Sequence, residues 1–356
     1  MVKKIVLVLL AVSAITVTTV VVVSNLNQST SSGDSQTGSG TNAFSLRVPF
    51  QPTPSPEPFS ELTIPYLQNR TYQSSLGELQ QTSENANYTS YLTSYTSDEL
   101  KINGLLTEPK GEMPSGGWPA IVFVHGYIPP SQYRTQEKYE DYVDYLARNG
   151  FVVFKIDLRG HGNSEGSPSG TYYSTDYIID TLNARAALQN WDSVNADHVG
   201  LWGHSMAGNI VMRSMVAKQD IPAGVIWAGA VYTYQDIQDL GIDDNTYRPP
   251  SDNQPRQEYR ERLTKTHGQF DPNNAFWKKV PATNYLDDFT GAIEIHHAVN
   301  DDVVSIEYSR NLANLLENAG IQHELYEYNT GGHNISGSAF SQAMQRTVSF
   351  YKNTLQ

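Results

Sequence analysis

The pattern of apolar and polar positions after about residue 60 alternates between two kinds of segment. Short, nearly continuous apolar runs predict strands that are buried on both faces. These runs are Ala120–Val124, Phe151–Ile156, His198–Trp202, Gly224–Ala228 and Ala292–His296. Apolar residues that recur every three or four positions predict helices, which cover about 139–147, 173–190, 206–218, 305–318 and 338–353. The alternation predicts an α/β fold, with a mostly parallel central sheet and helices on both faces.

Two stretches of the chain depart from this alternation. Residues from Tyr88 to Thr107 are rich in β-forming residues around a Ser-Asp turn, which predicts a pair of antiparallel strands. Residues 232–290 contain many Tyr, Asp, Gln and Pro residues and no clear strand pattern. Such a long connection between two strands is typical of a lid or a binding loop, so we expect a lid insertion here.

The first 24 residues resemble a targeting segment. Lys3 and Lys4 precede an uncharged run of 19 residues, Ile5–Val23, which would span roughly 28 Å as a helix, close to the thickness of the bilayer core. Positive charge before the run predicts an N-terminus inside the cell and the rest of the chain outside. We therefore expect a transmembrane anchor over residues 1–24, with a cleaved secretory signal as the alternative. Both predict an extracytoplasmic catalytic domain.

Residues 25–59 have the composition of a flexible linker. Ser, Gly, Thr and Gln dominate to about Thr41, and Gln51-Pro-Thr-Pro-Ser-Pro-Glu-Pro58 follows. Such sequences form flexible or extended polyproline segments. The remainder, residues 60–356, is long enough for one large catalytic domain with a single core.

Composition excludes several classes of function. The chain has no cysteine, which excludes disulfides, thiolate catalysis and Cys-ligated zinc. The net charge of −13 argues against nucleic-acid binding, because that requires a basic surface.

The segment Gly203-His-Ser-Met-Ala-Gly208 follows a predicted strand and begins a predicted helix. This is the setting in which a serine is held on a strained turn, with its Oγ exposed above the sheet. Small residues at Gly203 and Ala207 avoid a collision across the tight turn. Ser205 is therefore the predicted nucleophile. We expect the backbone N–H groups of Tyr127, after the strand ending at Val124, and of Met206 to form the oxyanion hole.

Two later strand ends provide the partners that a serine nucleophile needs. Asp301 follows the strand that ends near His296 and is preferred over Asp302 as the acid, because Val303 and Val304 come two and three places after it. His333, in a Gly-rich loop before the last helix, is the predicted general base, since it follows both serine and acid. This chemistry requires no cofactor and no metal. His296 and His297 point to opposite faces of a strand, which argues against a zinc site.

These motifs resemble the α/β-hydrolase superfamily, and more narrowly the catalytic domains of prolyl oligopeptidase-like and dienelactone hydrolase-like enzymes. The resemblance covers about residues 98–355 and includes Phe123-Val-His-Gly-Tyr127, the turn from Asp157 to Gly166, the Ser205 turn, Asn300-Asp-Asp-Val-Val304 and Gly332-His333. It implies an α/β-hydrolase fold, and a structural role for His161 and Ser164. The residues before 98 are too few for the β-propeller of prolyl oligopeptidases.

The predicted function is a serine hydrolase that cleaves esters or amides through an acyl-enzyme. The resemblance leaves esterase, peptidase and acyl-transfer activity open, with a small ester or a short peptide as the expected substrate. A binding protein at the cell surface that keeps the fold without turnover is the alternative, since fold does not dictate function.

Overall fold

The computed structural model of the protein describes residues 57–171, 173–241 and 254–355. The predicted anchor and the predicted linker up to residue 56 lie outside the described residues. Within the described ranges, no helix combines the length and apolar character needed to cross a bilayer.

The described residues form one sheet of nine strands in the order β1-β2-β3-β5-β4-β6-β7-β8-β9. The strands are β1 (Gln80–Glu84), β2 (Tyr88–Ser97), β3 (Leu100–Pro109), β4 (Trp118–Val124), β5 (Val152–Ile156), β6 (Val194–His204), β7 (Ala223–Trp227), β8 (Ala292–Ala298) and β9 (His323–Tyr328). The pairings β1-β2, β2-β3 and β3-β5 are antiparallel, and all pairings from β5 to β9 are parallel. The predicted, mostly parallel sheet is therefore confirmed.

Eight α-helices lie within the described residues: α1 (Ile64–Asn69), α2 (Glu140–Arg148), α3 (Asp176–Gln189), α4 (Ala207–Ala217), α5 (Tyr234–Leu240), α6 (Gln254–His267), α7 (Glu307–Asn318) and α8 (Ser338–Thr354). They cover both faces of the sheet, because successive side chains of a strand point to opposite faces. On β4, Val122 and Val124 belong to the core that contains α1, α3, α4 and α7, whereas Ile121 and Phe123 belong to the core that contains α2 and α8.

The segment predicted as a lid, residues 232–290, contains α5, α6 and short 3-10 turns, and no strand among its described residues. Residues 57–62, which we call the N-terminal strap, pack against it. The Phe59 ring meets the Tyr259 ring at 5.1 Å between centroids, and Tyr259 Oη donates to Glu61 at 2.9 Å. Leu62 joins a small separate core with Leu263 and residues 276–280. The strap therefore belongs structurally to this segment.

The parallel strands bring distant parts of the chain to one edge of the sheet. In such sheets the functional groups lie at the carboxyl ends of the strands. The loops after β4, β6, β8 and β9 carry Tyr127, Ser205, Asp301 and His333 respectively. The fold thus places all the predicted site residues along the same edge.

Candidate active site

Ser205 occupies a strained turn between β6 and α4. Its φ is 54°, the left-handed region that residues other than glycine rarely adopt. The turn is held by two hydrogen bonds, from Ser205 N–H to Trp227 O at 2.8 Å and from Gly208 N–H to Ser205 O at 2.9 Å. A Cβ on Gly203 would lie 2.7 Å from Ala207 O. The turn therefore requires glycine at 203, which agrees with the small residue that the sequence predicts there.

Asp301 and His333 are in direct contact. His333 Nδ1–H donates to Asp301 Oδ2 at 2.9 Å. His333 sits on a 3-10 turn, Gly332–Asn334, which is held near the acid by a bond from Gly332 N–H to Asn300 Oδ1 at 3.0 Å. The Asp301 side chain is inaccessible to solvent, and the His333 side chain is 16% exposed. The neighbouring Asp302 is exposed instead. The structure thus pairs His333 with Asp301 and not with Asp302.

Three further donors hold the Asp301 carboxylate. The N–H groups of Val303 and Val304 donate to Oδ1 at 2.9 and 3.0 Å. His297 Nε2 lies 3.1 Å from Oδ2 and 3.0 Å from the Val304 carbonyl, which can only accept, so Nε2 carries the proton. Burial raises the pKa of Asp301, but hydrogen bonds from His297 and His333 outweigh it, and the pKa lies well below its usual range. The carboxylate is ionised at neutral pH.

A second chain of hydrogen bonds joins the loops around Ser205. Gly126 N–H donates to Tyr139 Oη at 3.0 Å, and Tyr139 Oη lies 2.7 Å from His204 Nδ1. His204 Nε2 lies 2.9 Å from the His333 carbonyl, so Nε2 donates and Nδ1 accepts from Tyr139. Burial lowers the pKa of His204 to about 3, which keeps this ring neutral. The chain fixes the loops after β4, β6 and β9 relative to one another.

The His333 ring lies against the residue that precedes the nucleophile. The His204 and His333 ring centroids are 4.7 Å apart. Within the described part of the chain, no hydrogen bond joins Ser205 Oγ to His333. Bonds of this kind are often long without substrate and shorten in the reactive complex.

The two predicted oxyanion donors flank this site. Met206 precedes α4 as its N-cap, and its N–H makes no hydrogen bond with the described residues. Tyr127 follows Gly126, which the Tyr139 hydroxyl holds in place. The N–H groups of a helix start favour a developing negative charge.

Sequence reasoning missed His297, Ser309 and Tyr139 as parts of the site. Ser309 Oγ lies 2.7 Å from His297 Nδ1 and so orients the ring that supports Asp301. The signal for His297 was its place four residues before the acid, directly after the oppositely directed His296. His296 bonds Glu294 and Tyr328 on the other face of the sheet. Tyr139 and His204 are 65 residues apart, so no local sequence pattern predicted their contact.

The nine-stranded sheet is that of the α/β-hydrolase fold, and the Ser205 turn lies at the carboxyl edge of this sheet. Residues 119–243 match the family model described as serine aminopeptidase, S33. This region contains Ser205 but neither Asp301 nor His333.

Sequence relatives match in part. Protein ABHD12B of Homo sapiens is 28% identical over 121 residues, which are 33% of this chain and 30% of that protein. Thiohydrolase aneE of Aspergillus aculeatus is 27% identical over 109 residues, which are 31% of this chain and 33% of that protein. The match thus spans about a third of the length of these relatives.

Solved structures match over more of the chain. Acetyl xylan esterase 1 from Thermoanaerobacterium sp. JW/SL YS485 aligns with a TM-score of 0.58 and 20% identity, over 84% of this chain and 95% of that one. Acylaminoacyl peptidase from Pyrococcus horikoshii aligns with a TM-score of 0.57 and 16% identity, over 76% and 42% of the two chains. At these identities the likeness establishes the fold.

Proposed function

We propose that this protein hydrolyses ester or amide bonds through an acyl-enzyme, with Ser205 as nucleophile, His333 as general base and Asp301 as the acid that orients it. The observation that carries the proposal is the hydrogen bond from His333 Nδ1 to a buried Asp301, beside a strained serine turn. A neutral imidazole with Nδ1 protonated leaves Nε2 free to accept the serine proton.

The proposed reaction proceeds in two steps. Ser205 Oγ attacks the carbonyl carbon as its proton passes to His333 Nε2, and the resulting oxyanion accepts hydrogen bonds from the Tyr127 and Met206 N–H groups. The protonated His333 gives its proton to the leaving alcohol or amine, which departs and leaves an acyl-enzyme. Water then attacks the acyl carbon by the same route, which frees the acid and restores Ser205.

A fluorophosphonate probe tests this proposal. We expect the wild type to be labelled at Ser205 and the Ser205→Ala variant to remain unlabelled. Ser341→Ala, at an exposed serine of α8, is the matched control and is expected to label normally. An unlabelled wild type, under conditions that label a reference hydrolase, would contradict the proposal and favour a binding protein without turnover.

Substrate assays separate esterase from peptidase activity. Acetyl xylan esterases and acylaminoacyl peptidases are both among the structural neighbours. We propose a small ester or a short peptide as substrate. The assays compare p-nitrophenyl acyl esters with acyl-aminoacyl anilides, and added alcohols test for acyl transfer.

We propose that the catalytic domain is tethered outside the cytoplasm by an N-terminal membrane anchor. The support is in the sequence: Lys3 and Lys4 precede the uncharged run Ile5–Val23, and a linker of low complexity follows. We expect the full-length protein to sediment with membranes and to be digested by protease added outside intact cells. Release of a soluble protein that begins after residue 24 would support signal cleavage instead.

We also propose that residues 232–290 act as a lid over the site. The segment leaves β7 at the sheet edge that carries Ser205, and the N-terminal strap holds its α6. Long insertions at this position commonly cover a binding site.

A further inference from the structure

Arg213 is a buried cation without a counter-charge among the described residues. Its side chain, on α4, is almost completely buried. The guanidinium donates to three backbone carbonyls, those of Thr171 at 3.2 Å, Ser174 at 3.4 Å and Leu62 at 2.5 Å. Its Nε has no partner, and none of the ion pairs among the described residues includes it. A buried charge of this kind is strongly disfavoured unless an anion compensates it.

Arg213 lines a small cavity with other unpaired donors. The cavity has a volume of about 20 Å³ and lies between α4, residues 231–234 and residues 280 and 281. Tyr232 Oη and Thr171 Oγ1, which belong to lining residues, are buried and lack hydrogen-bond partners among the described residues. The Asn209 side chain also lines the cavity. The volume suffices for a small polar group or ion.

Two glycines make room for the Tyr232 hydroxyl. A Cβ on Gly229 would lie 2.1 Å from Tyr232 Oη, and a Cβ on Gly208 would lie 2.8 Å from it. Both distances are shorter than real contacts allow. The backbone therefore accommodates a hydroxyl that has no partner of its own, which is costly for a buried polar group unless a ligand binds it.

The cavity lies beside the nucleophile. Gly208 and Asn209 come three and four residues after Ser205, and Val231 follows Ala230, whose N–H lies 3.4 Å from Ser205 O. Arg213 is six residues into α4, about 9 Å along the helix axis from its start. Val280 and Pro281, from the proposed lid, also line the cavity. An acyl chain on Ser205 is thus within reach of the cavity.

We propose that this cavity is a small-anion site, in which a carboxylate or a halide binds to the Arg213 guanidinium and to the hydroxyls of Tyr232 and Thr171. Burial lowers the pKa of Arg213 to about 10, so the side chain remains charged at neutral pH. The anion has two sources with the same chemistry: the carboxylate end of an acyl chain in the substrate, or a free ion such as formate or chloride. The substrate source rests on the proposed hydrolase function, and the free ion does not.

Thermal denaturation of the full chain tests binding of a free anion. Sodium chloride or sodium formate replaces sodium gluconate, whose anion is too large for the cavity, at constant ionic strength. We expect a saturable rise of the midpoint in the wild type. In Tyr232→Phe and in Thr171→Val, loss of one donor to a charged group is expected to raise the half-saturating concentration at least about tenfold. Tyr91→Phe, outside the cavity, is expected to titrate as the wild type does.

A pair of esters tests the substrate source. The acyl chains of p-nitrophenyl hexanoate and mono-p-nitrophenyl adipate have equal length, and only the second ends in a carboxylate. We expect the kcat/KM ratio of the adipate to the hexanoate ester to fall at least about tenfold in Tyr232→Phe and in Thr171→Val. The Tyr91→Phe variant keeps the wild-type ratio.

The two experiments give distinct outcomes. A changed ester ratio assigns the site to the substrate's carboxylate, and saturation by formate or chloride alone assigns it to a free ion. Absence of both overturns the anion site, even if fluorophosphonate labels Ser205. If the wild type neither labels nor hydrolyses either ester, the proposed function fails, whereas the anion titration still decides the site. Tyr232→Phe and Thr171→Val each change a single side-chain group, so we expect both variants to fold. Arg213→Met would also remove the hydrogen bonds to three backbone carbonyls, so it is not used.

Discussion

Four hydrogen-bond donors converge on the carboxylate of Asp301. Two are backbone N–H groups that follow the acid by two and three residues, and two are the rings of His297 and His333. A carboxylate with all its lone pairs engaged has one orientation and stays ionised. Asp301 therefore holds the His333 ring from a fixed position.

His297 is expected to be a positioning residue for Asp301. In His297→Leu, one hydrogen bond to the buried carboxylate is lost, which is worth about 1.5–3 kcal/mol. We expect kcat/KM to fall about tenfold to hundredfold, with the acidic limb of the pH–rate profile displaced. His297→Gln, which keeps an N–H donor, is expected to recover most of the activity and the profile. Wild-type kinetics in the leucine variant would contradict this role.

Tyr139 is expected to act through His204 and Gly126. In Tyr139→Phe, the Gly126 N–H and His204 Nδ1 both lose their partner, which costs about 1–3 kcal/mol for each buried group. We expect a lower thermal midpoint and a kcat reduced about tenfold or more, because the loop of the proposed oxyanion donor Tyr127 loses its support. Tyr145, on the helix that follows Tyr139, makes no side-chain hydrogen bond with the described residues, so Tyr145→Phe is the control. Equal effects of both changes would show that packing alone matters.

At the scale of elements, the N-terminal strap and α6 form a unit that is separate from the main cores. The strap contributes Phe59 and Leu62 to the small core of the proposed lid. Glu57 pairs with Lys279 at 2.8 Å, and the Pro58 carbonyl lies 2.8 Å from His267 Nε2. Small units of this kind open more easily than the core of a domain.

The strap is expected to limit the opening of α6. In Phe59→Ala, the ring contacts with Tyr259 and His267 are lost, so we expect amide hydrogen exchange in α6 to accelerate at least about tenfold. Exchange in β4 and β6 is expected to stay unchanged. Met113→Ala, at an exposed apolar residue, is the control. Unchanged exchange in α6 would mean that the strap does not restrain this helix.

The elements differ in how far the sequence predicts them. The central strands were predictable because parallel strands buried on both faces are nearly continuous apolar runs. β1 was not, since Gln80–Glu84 is entirely polar and exposed and becomes a strand only by pairing with β2. β9, His323–Tyr328, mixes polar and aromatic residues at the sheet edge and also depends on its neighbour. The order of Ser205, Asp301 and His333 was readable from motifs, whereas the support from His297 and Tyr139 depends on tertiary contacts.

For the whole molecule, Asp157 makes folding stability depend on pH. Burial raises the pKa of Asp157 to about 6, although Thr135 and Tyr133 donate hydrogen bonds to it. A carboxyl whose pKa is higher in the folded state contributes stability that is complete below its unfolded pKa, near 4. This contribution is lost as the pH rises through about 6.

We therefore expect Asp157→Asn to gain stability relative to the wild type as the pH rises from about 4 to 7. The expected change in the difference between their free energies of unfolding is about 3 kcal/mol. Urea denaturation at several pH values measures it. Parallel pH profiles of the two proteins would contradict a raised pKa for Asp157.

The last described helix, α8, covers the strand β6 that precedes Ser205, and this packing has a consequence for biosynthesis. Tyr351 Oη, in the last helix, donates to the Leu201 carbonyl of β6 at 2.6 Å, and Met344 and Leu355 belong to the same core as Trp202. A nascent chain lacking these residues carries Ser205 on a strand whose aromatic face is uncovered. The proposed Ser205 site is therefore assembled only once the chain through Leu355 has been made, and shorter products expose this apolar face during synthesis.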